Sequence, residues 1–438
     1  MKILFANTRH FPGGGDSTYT FNLARLLTKM GHEAAFFAMQ DPRNIPDANS
    51  DLFVSYIDFK ELNRKKSLYN GLNTLSRAIY SREARKNFSQ ILDRTKPDIV
   101  HLHGIHAHIT PSIIFEAKKR NLPVIWTLHD YKMVCPNTHF RIDATNEICE
   151  ACGKGAFWHA ILKRCKKNSL LASSMAAVEA YIHILMGVWN RVDFFLSPSA
   201  FLKDKLVEHG LPASKIVHLP LFLPKELFYY ENCDEGYLLF MGRLDPIKGI
   251  YPLLKACHLA SEARLILAGR VEEPISSQLP ELLPPNAHYV GMKQGDELRH
   301  LLVRSRAVIL PSLWYENQPF SLTEAFAAGK AVIATNLGGM IELVTRSQGG
   351  LLVPPADIEA LAKAIQWMSS HPKEAHQMGT EARKYASRVH SAEVHYQELM
   401  EIYELAIKEN KGNTSSMKIR ATRDIDATMS CNDTPMNL

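Results

Sequence analysis

Two stretches in the second half of the chain carry side chains whose types and spacing suit work on an anionic substrate. The first is Gly242-Arg243-Leu244-Asp245-Pro246-Ile247-Lys248-Gly249, directly after the apolar run 236–241. If that run is a strand and a helix follows, Arg243 and Lys248 straddle the turn. Both heads can then reach one point above the sheet, where two cations would grip a pyrophosphate and hold the charge of a departing nucleotide. The plainer reading is a pair of solvated surface charges; placement at a strand end favours function. The second stretch is Trp314-Tyr315-Glu316-Asn317-Gln318-Pro319-Phe320-Ser321-Leu322-Thr323-Glu324-Ala325. Glu316 precedes a predicted helix and Glu324 lies on its first turns. One carboxylate could hold sugar hydroxyls and the other a ribose diol, with the free amides of the helix start adding phosphate contacts. The plainer reading is one acid favoured by the helix dipole and one exposed acid.

The first half holds a glycine loop, Pro12-Gly13-Gly14-Gly15-Asp16-Ser17, between a predicted strand and a predicted helix. Such a loop suits an anionic ligand, and equally a tight turn. It is not a P-loop, because no Gly-Lys-Ser/Thr follows. It nearly matches the dinucleotide fingerprint, but Thr18 stands where the third glycine belongs; with Asp41 after the second apolar run, this keeps a dinucleotide-dependent oxidoreductase as an alternative. His101, His103, His106 and His108 follow the run 98–102. Metal binding is one reading; cleft-lining or hydrogen-bonded histidines are the expected one. Cys135, Cys149, Cys152 and Cys165, spaced C-x13-C-x2-C-x12-C, have the thiolates for a tetrahedral S4 site. The alternative is four reduced thiols in a loop, with a redox-active Cys149 and Cys152. The expectation is a structural zinc, ahead of an iron–sulfur cluster.

These groups need rigid elements to position them. At 438 residues, 46% hydrophobic and 22% charged, the chain has material for two or three globular domains and is not a disordered scaffold. Short apolar runs at 3–6, 34–39, 98–102, 124–128, 193–197 and 215–219 alternate with helical stretches, and the pattern repeats at 236–241, 264–268, 288–290, 307–310, 331–334 and 350–353. Most runs are unbroken, as strands buried on both faces of a parallel sheet are. The order implies a doubly wound α/β architecture, twice, with ligands at the carboxyl ends of the strands. A connection near 221–234 is marked by Pro220, Pro224 and a charged stretch.

Taken as an ordered set, these motifs resemble the retaining glycosyltransferases of family 4. The resemblance rests on Arg-x4-Lys after a strand and Glu-x7-Glu into a helix. It rests also on Leu23-Ala24-Arg25-Leu26 with Gly31-His32-Glu33, on Thr127-Leu128-His129-Asp130, on Glu324-Ala325-Phe326-Ala327-Ala328-Gly329, and on Gly338-Gly339 followed by Glu342. It runs from about residue 1 to 405. It implies the GT-B fold: two Rossmann-like domains facing across a cleft, over 1–225 and 226–385, with a helix at 386–410 returning to the first. A cysteine-rich insertion would occupy about 131–167 and a disordered tail 411–438. The resemblance assigns Arg243 and Lys248 to the diphosphate, together with the helix start at Phe320, Ser321 and Leu322, and Glu324 to the ribose. It assigns Glu316 and His129 to the donor sugar near the reacting carbon, and Gly14 and Gly15 to close approach of donor or acceptor. It implies front-side transfer from a nucleotide sugar to a saccharide or lipid-linked acceptor, in surface polysaccharide biosynthesis, with no catalytic metal or cofactor. One departure stands out: Asn317-Gln318-Pro319 replaces the glycine-containing loop of many members, so the phosphate cradle must differ in detail. A non-enzymatic nucleotide-sugar-binding or scaffold protein on the same fold is the other alternative, and the intact Arg243, Lys248, Glu316 and Glu324 argue against it.

Net charge is +6, too dispersed to imply a nucleic-acid partner. Residues 60–96 hold ten Lys or Arg against three Asp or Glu, with Leu68, Leu72, Leu75 and Ile79 at helical spacing, followed by Arg77, Arg82, Arg85 and Lys86 nearby. Lys163, Arg164, Lys166 and Lys167 precede a second stripe, Leu171, Met175, Val178, Ile182, Leu185 and Trp189. Both stripes are expected to face the core, while their basic sides touch an anionic membrane. Residues 168–190 read as a buried or interfacial helix and not as a span. Without a secretory signal pattern or a disulfide framework among seven cysteines, the expected setting is the cytoplasm, peripheral on the inner face of a membrane.

Overall fold

The structure, a computed structural model, describes residues 1–56, 79–106, 108–231 and 233–411. The expectations for Leu68, Leu72, Leu75, Arg77 and the tail after Lys411 lie outside these residues. All twelve apolar runs are strands, with ends shifted by two residues at most. They are β1 Lys2–Ala6, β2 Glu33–Phe37, β3 Ile99–Leu102, β4 Val124–Thr127, β5 Phe194–Ser197 and β6 Ile216–His218, then β7 Tyr237–Met241, β8 Arg264–Ala268, β9 Ala287–Tyr289, β10 Ala307–Leu310, β11 Ala331–Thr335 and β12 Gly350–Val353. Every pairing is parallel, in two six-stranded sheets of order β2-β1-β3-β4-β5-β6 and β12-β11-β10-β7-β8-β9. Both are Rossmann-like. Strand order reverses between β1 and β3 in the first sheet and between β7 and β10 in the second, the places where open α/β sheets take ligands.

The unbroken apolar runs have a direct cause. All residues of β7, β10 and β11 are buried. Successive side chains point to opposite faces. Leu238, Phe240, Ala307 and Ile309 enter one core, and Tyr237, Leu239, Met241, Val308 and Leu310 enter the other. Helices cover both sides, so neither face could be polar.

Two compact units contain these sheets. Among the described residues, one comprises 1–198, 202–219 and 396–411; the other comprises 199–201 and 220–395. The helix Ala392–Asn410 contributes Tyr396 and Tyr403 to the first unit. The Tyr403 hydroxyl lies 2.5 Å from His101 Nδ1, and the Tyr396 hydroxyl 2.9 Å from His32 Nε2.

The helix Leu170–Leu185 corrects one expectation. Its apolar stripe faces water, not the core: Leu171 is 71% and Leu185 85% exposed, with Val178 exposed and Met175 and Ile182 half-buried. The residues it buries are Ser173, Ala176, Ala177, Glu179, Ala180 and His183. Small side chains let it lie close to the unit. Its two buried titratable groups have partners there: Glu179 takes the Lys132 ammonium at 2.8 Å, and His183 Nε2 meets the Ile79 carbonyl at 2.9 Å. Trp189 is half-buried, beyond the helix end and beside Trp126.

Candidate functional site

In the second unit the turn after β7 and the loop after β10 emerge side by side. Asp245 caps a short 3-10 turn, Pro246–Lys248, by accepting from the Ile247 N–H at 3.0 Å. Gly249 then takes φ +76°, and a Cβ there would stand 1.9 Å from the Pro311 carbonyl oxygen, so only glycine lets the two loops touch. The Leu313 N–H closes the contact on the Ile247 carbonyl at 2.8 Å.

This juxtaposition delivers Lys248 to Glu316. The Lys248 ammonium lies 2.5 Å from Glu316 Oε1. The same oxygen accepts from the Ser312 hydroxyl and the Trp314 indole N–H, each at 2.8 Å. Lys248 also stands 5.4 Å from the centre of the Trp314 ring. Burial alone would raise the Glu316 carboxyl pKa; the Lys248 charge and these hydrogen bonds outweigh it and hold the group below its ordinary value. Arg243 turns to Asp245 at 3.4 Å and is half-exposed. Each of the two cations thus has an acidic partner in the structure.

The loop carrying Glu316 is buttressed from behind. Gly338 (φ +62°) and Gly339 pack on it so closely that a Cβ would meet Glu316 O at 2.5 Å and Asn317 O at 1.8 Å, respectively. The Gly339 N–H donates to Glu316 O at 2.7 Å. Gln318 braces the loop further, accepting from Leu221 N–H at 2.8 Å and donating to Leu221 O at 2.9 Å. Pro319 is the N-cap of the helix Phe320–Ala327, where its missing N–H costs the helix nothing. The Leu322 N–H donates to Pro319 O at 3.1 Å; Phe320 and Ser321 begin the helix ahead of it. Glu324 is half-buried on the same helix, and burial pushes its carboxyl up to about 7.

The first unit's switch point is built differently. After β1, the Gly13 N–H donates to Ser17 Oγ at 3.1 Å, and Ser17 Oγ donates to the Gly14 carbonyl at 3.2 Å. Beside Gly14, Arg9 and Asp16 stand 3.7 Å apart. Asp16 thus puts a carboxylate in the first turn of the helix Gly15–Lys29. Asp41 is committed to Arg43 at 2.8 Å. After β3, His101 is fully buried between Tyr403 and the Thr127 hydroxyl, 2.7 Å from Nε2. His103 Nδ1 lies 3.2 Å from His129 Nε2, with the Tyr19 ring edge-on to both. His106 stacks on Trp126 and stands 3.6 Å from Asp130. Burial lowers the pKa of His103, His106 and His129 alike, so these imidazoles are neutral at neutral pH.

Among the four cysteines of the insertion, Cys135, Cys152 and Cys165 are buried and Cys149 is half-buried. Cys152 and Cys165 share a small apolar cluster with Phe157, Ala160, Ala177 and Ala180. Lys163 Nζ approaches Cys149 Sγ at 3.4 Å, and the backbone N–H groups of 137–140 face Cys135 Sγ. Burial and the neighbouring sulfurs push Cys152 up to about 12 and Cys165 to about 11. Among the described residues, no three His, Cys, Asp or Glu side chains are placed so as to hold a metal ion.

Ser312, Trp314 and the supporting role of Gly338–Gly339 were not legible as parts of the site from spacing alone. The Gly-Gly pair was conspicuous, but nothing local to it points at Glu316.

The family model for glycosyl transferases group 1 matches residues 229–385, and the model for glycosyltransferase family 4 matches 13–225. A Klebsiella pneumoniae protein described as an uncharacterized 42.6 kDa protein in the cps region is 24% identical over 354 residues, 78% of this chain and 87% of that one. The amylovoran biosynthesis glycosyltransferase AmsK of Erwinia amylovora is 26% identical over 228 residues, 48% of this chain and 56% of that one. Among solved structures, HepE of Anabaena in complex with UDP superposes with a TM-score of 0.63 at 16% identity, over 92% of this chain and all of that one.

Proposed function

The chain belongs to the glycosyltransferases of the group 1 and family 4 type, and from that premise we propose that it transfers a sugar, with retention, from a nucleotide sugar to a saccharide or lipid-linked acceptor. The observation that carries the reading is the Lys248–Glu316 pair, a buried carboxylate held by a half-buried ammonium, at the β7–β10 switch point, beside a helix start. On this reading Lys248 and Arg243 hold the diphosphate, with the Phe320 and Ser321 amides completing the cradle. Glu324 accepts from the ribose diol. Glu316, kept ionised and oriented by three donors to one oxygen, presents its carboxylate to the sugar. The family resemblance adds His129 as a contact to the donor sugar and the Gly14–Gly15 turn as a close approach to donor or acceptor.

The bond from the sugar's anomeric carbon to the diphosphate oxygen breaks as a bond to the acceptor oxygen forms on the same face. The acceptor's proton passes to the leaving phosphate. Lys248, Arg243 and the helix amides stabilise the charge gained there, so the reading assigns no metal to the chemistry. The likeness to a glycosyltransferase of amylovoran biosynthesis supports a place in polysaccharide assembly. UDP bound to a protein of the same fold supports a nucleoside-diphosphate donor. The test is thermal stability with UDP, GDP and ADP sugars, followed by a transfer assay with the donor that binds. One donor class is expected to raise the melting temperature in a concentration-dependent way. No stabilisation by any of them, and no transfer, would overturn the reading.

The cysteine quartet carries a separate, structural proposal: Cys135, Cys149, Cys152 and Cys165 hold one zinc ion that shapes the insertion. Their gathering in one segment and the amides facing Cys135 support it, because N–H groups stabilise a bound thiolate. The thiols must draw closer together to do so. Elemental analysis of protein purified without chelator checks this. Near-stoichiometric zinc, lost in Cys152→Ser, is the expected result, and metal-free wild type the contrary one.

A further inference from the structure

The helix Leu170–Leu185 is built inside out, and nothing in the donor chemistry explains it. Its surface toward the unit is small and polar; its surface toward water is large and apolar. The one charged residue in its sixteen, Glu179, is buried against Lys132. The preceding short helix, Trp158–Leu162, continues the face, with Leu162 70% exposed. Trp158 and Tyr181 are exposed on it too, joined where the Trp158 N–H donates to the Tyr181 hydroxyl at 3.2 Å. Between the helices stand Lys163, Arg164 and Lys167, all exposed, and the half-buried Lys166.

A soluble surface rarely carries this many contiguous large apolar side chains without a partner. We infer that this face docks the protein on an anionic lipid bilayer, the two helices lying in the plane of the headgroups. The charge pattern selects this occupant. From 158 to 185 every exposed charge is positive, so a second copy meeting the face would bring cations and no counter-charge, whereas anionic headgroups supply it. Trp158 and Tyr181 are the residue types that favour the boundary between headgroups and acyl chains. Among the described residues no helix is long and apolar enough to cross a membrane, so the contact is peripheral. A lipid-linked acceptor would be met at that surface, but the docking inference does not depend on the transfer reading.

The test is sedimentation of the full chain with vesicles of phosphatidylcholine plus phosphatidylglycerol, and with phosphatidylcholine alone. Binding to the anionic vesicles is expected to exceed binding to the neutral ones by about tenfold at low salt and to fall as salt rises. Leu171→Ser with Leu185→Ser, and separately Arg164→Glu with Lys167→Glu, are each expected to weaken it by about tenfold. The melting temperature should stay as in the wild type, because these side chains contact water in the folded protein. Wild type left in the supernatant with anionic vesicles at low salt would overturn the inference. So would unaltered binding of both variants. A wild-type dimer that the serine variant converts to monomer, with no vesicle binding by either, would overturn it in favour of a second copy.

Discussion

The two switch points use the same topology for opposite electrostatics. At β7–β10 a buried carboxylate and a half-buried ammonium are locked together, with Ser312 and Trp314 spent on orienting one oxygen. At β1–β3 the glycine turn satisfies itself through Ser17, and the nearby imidazoles are neutral and largely engaged with one another and with hydroxyls. A charged, pre-oriented site suits a diphosphate whose charge grows during reaction; a neutral polar one suits hydroxyl groups. The difference also lies in how each is held. The charged loop leans on backbone through Gly249, Gly338 and Gly339, whereas Gly13 faces the Phe11 ring.

The largest expected effect is at the charged point. Glu316→Gln keeps the hydrogen-bond acceptor but removes the charge, and kcat should fall by about 10²–10³ with circular dichroism unaltered. Wild-type kinetics would erase the contrast between the two points. Lys248→Ala should weaken donor binding by about 1.5–3 kcal/mol, read by calorimetry. It also removes the cation that holds Glu316 ionised, so the acid limb of the pH–rate profile should move to higher pH. An unmoved limb would mean that Lys248 does not govern the carboxylate.

Smaller effects sharpen the mechanical half of the comparison. Gly339→Ala forces a Cβ onto the Asn317 carbonyl and should cost about 1–3 kcal/mol of stability, with activity falling as the Glu316 loop shifts. Gly13→Ala meets a side chain, the Phe11 ring, and not backbone, and should cost less than Gly339→Ala. Denaturant melts of the pair decide it; equal losses would remove the distinction. The smallest effect is a slope. With its carboxyl raised to about 7, Glu324 is protonated below neutrality and ionised above it. A ribose diol donates to the ionised form, so donor affinity should rise with pH through that range. Glu324→Gln should flatten the rise, and an equally steep rise in the variant would place the titration elsewhere.

Much of this frame was legible in the sequence, for a simple reason. A strand covered on both faces must be apolar throughout, so central strands such as β7, β10 and β11 announce themselves as runs. Periodicity also located the stripe at 171–185, but it reports only that one side differs from the other. It cannot say which side is wet, and the usual assumption failed there. The Lys248–Glu316 pair was hidden for another reason: the residues lie 68 apart, and the contact depends on β7 and β10 being neighbours. Arg243, Lys248, Glu316 and Glu324 could be picked out one by one, while Ser312 and the Gly338–Gly339 buttress became visible only once the loops were in place.

Trp314 gives the charged point an intrinsic optical sensor. It is one of five tryptophans, and its indole is in contact with both the Glu316 carboxylate and the Lys248 ammonium. An indole's excited state carries a larger dipole than its ground state, so emission colour follows nearby charge. A ligand that draws Lys248 away from the ring changes that field without any label being attached. Occupancy of the site can thus be followed in milliseconds by stopped-flow fluorescence, and Trp314→Phe, which silences that indole alone, identifies the source of the signal.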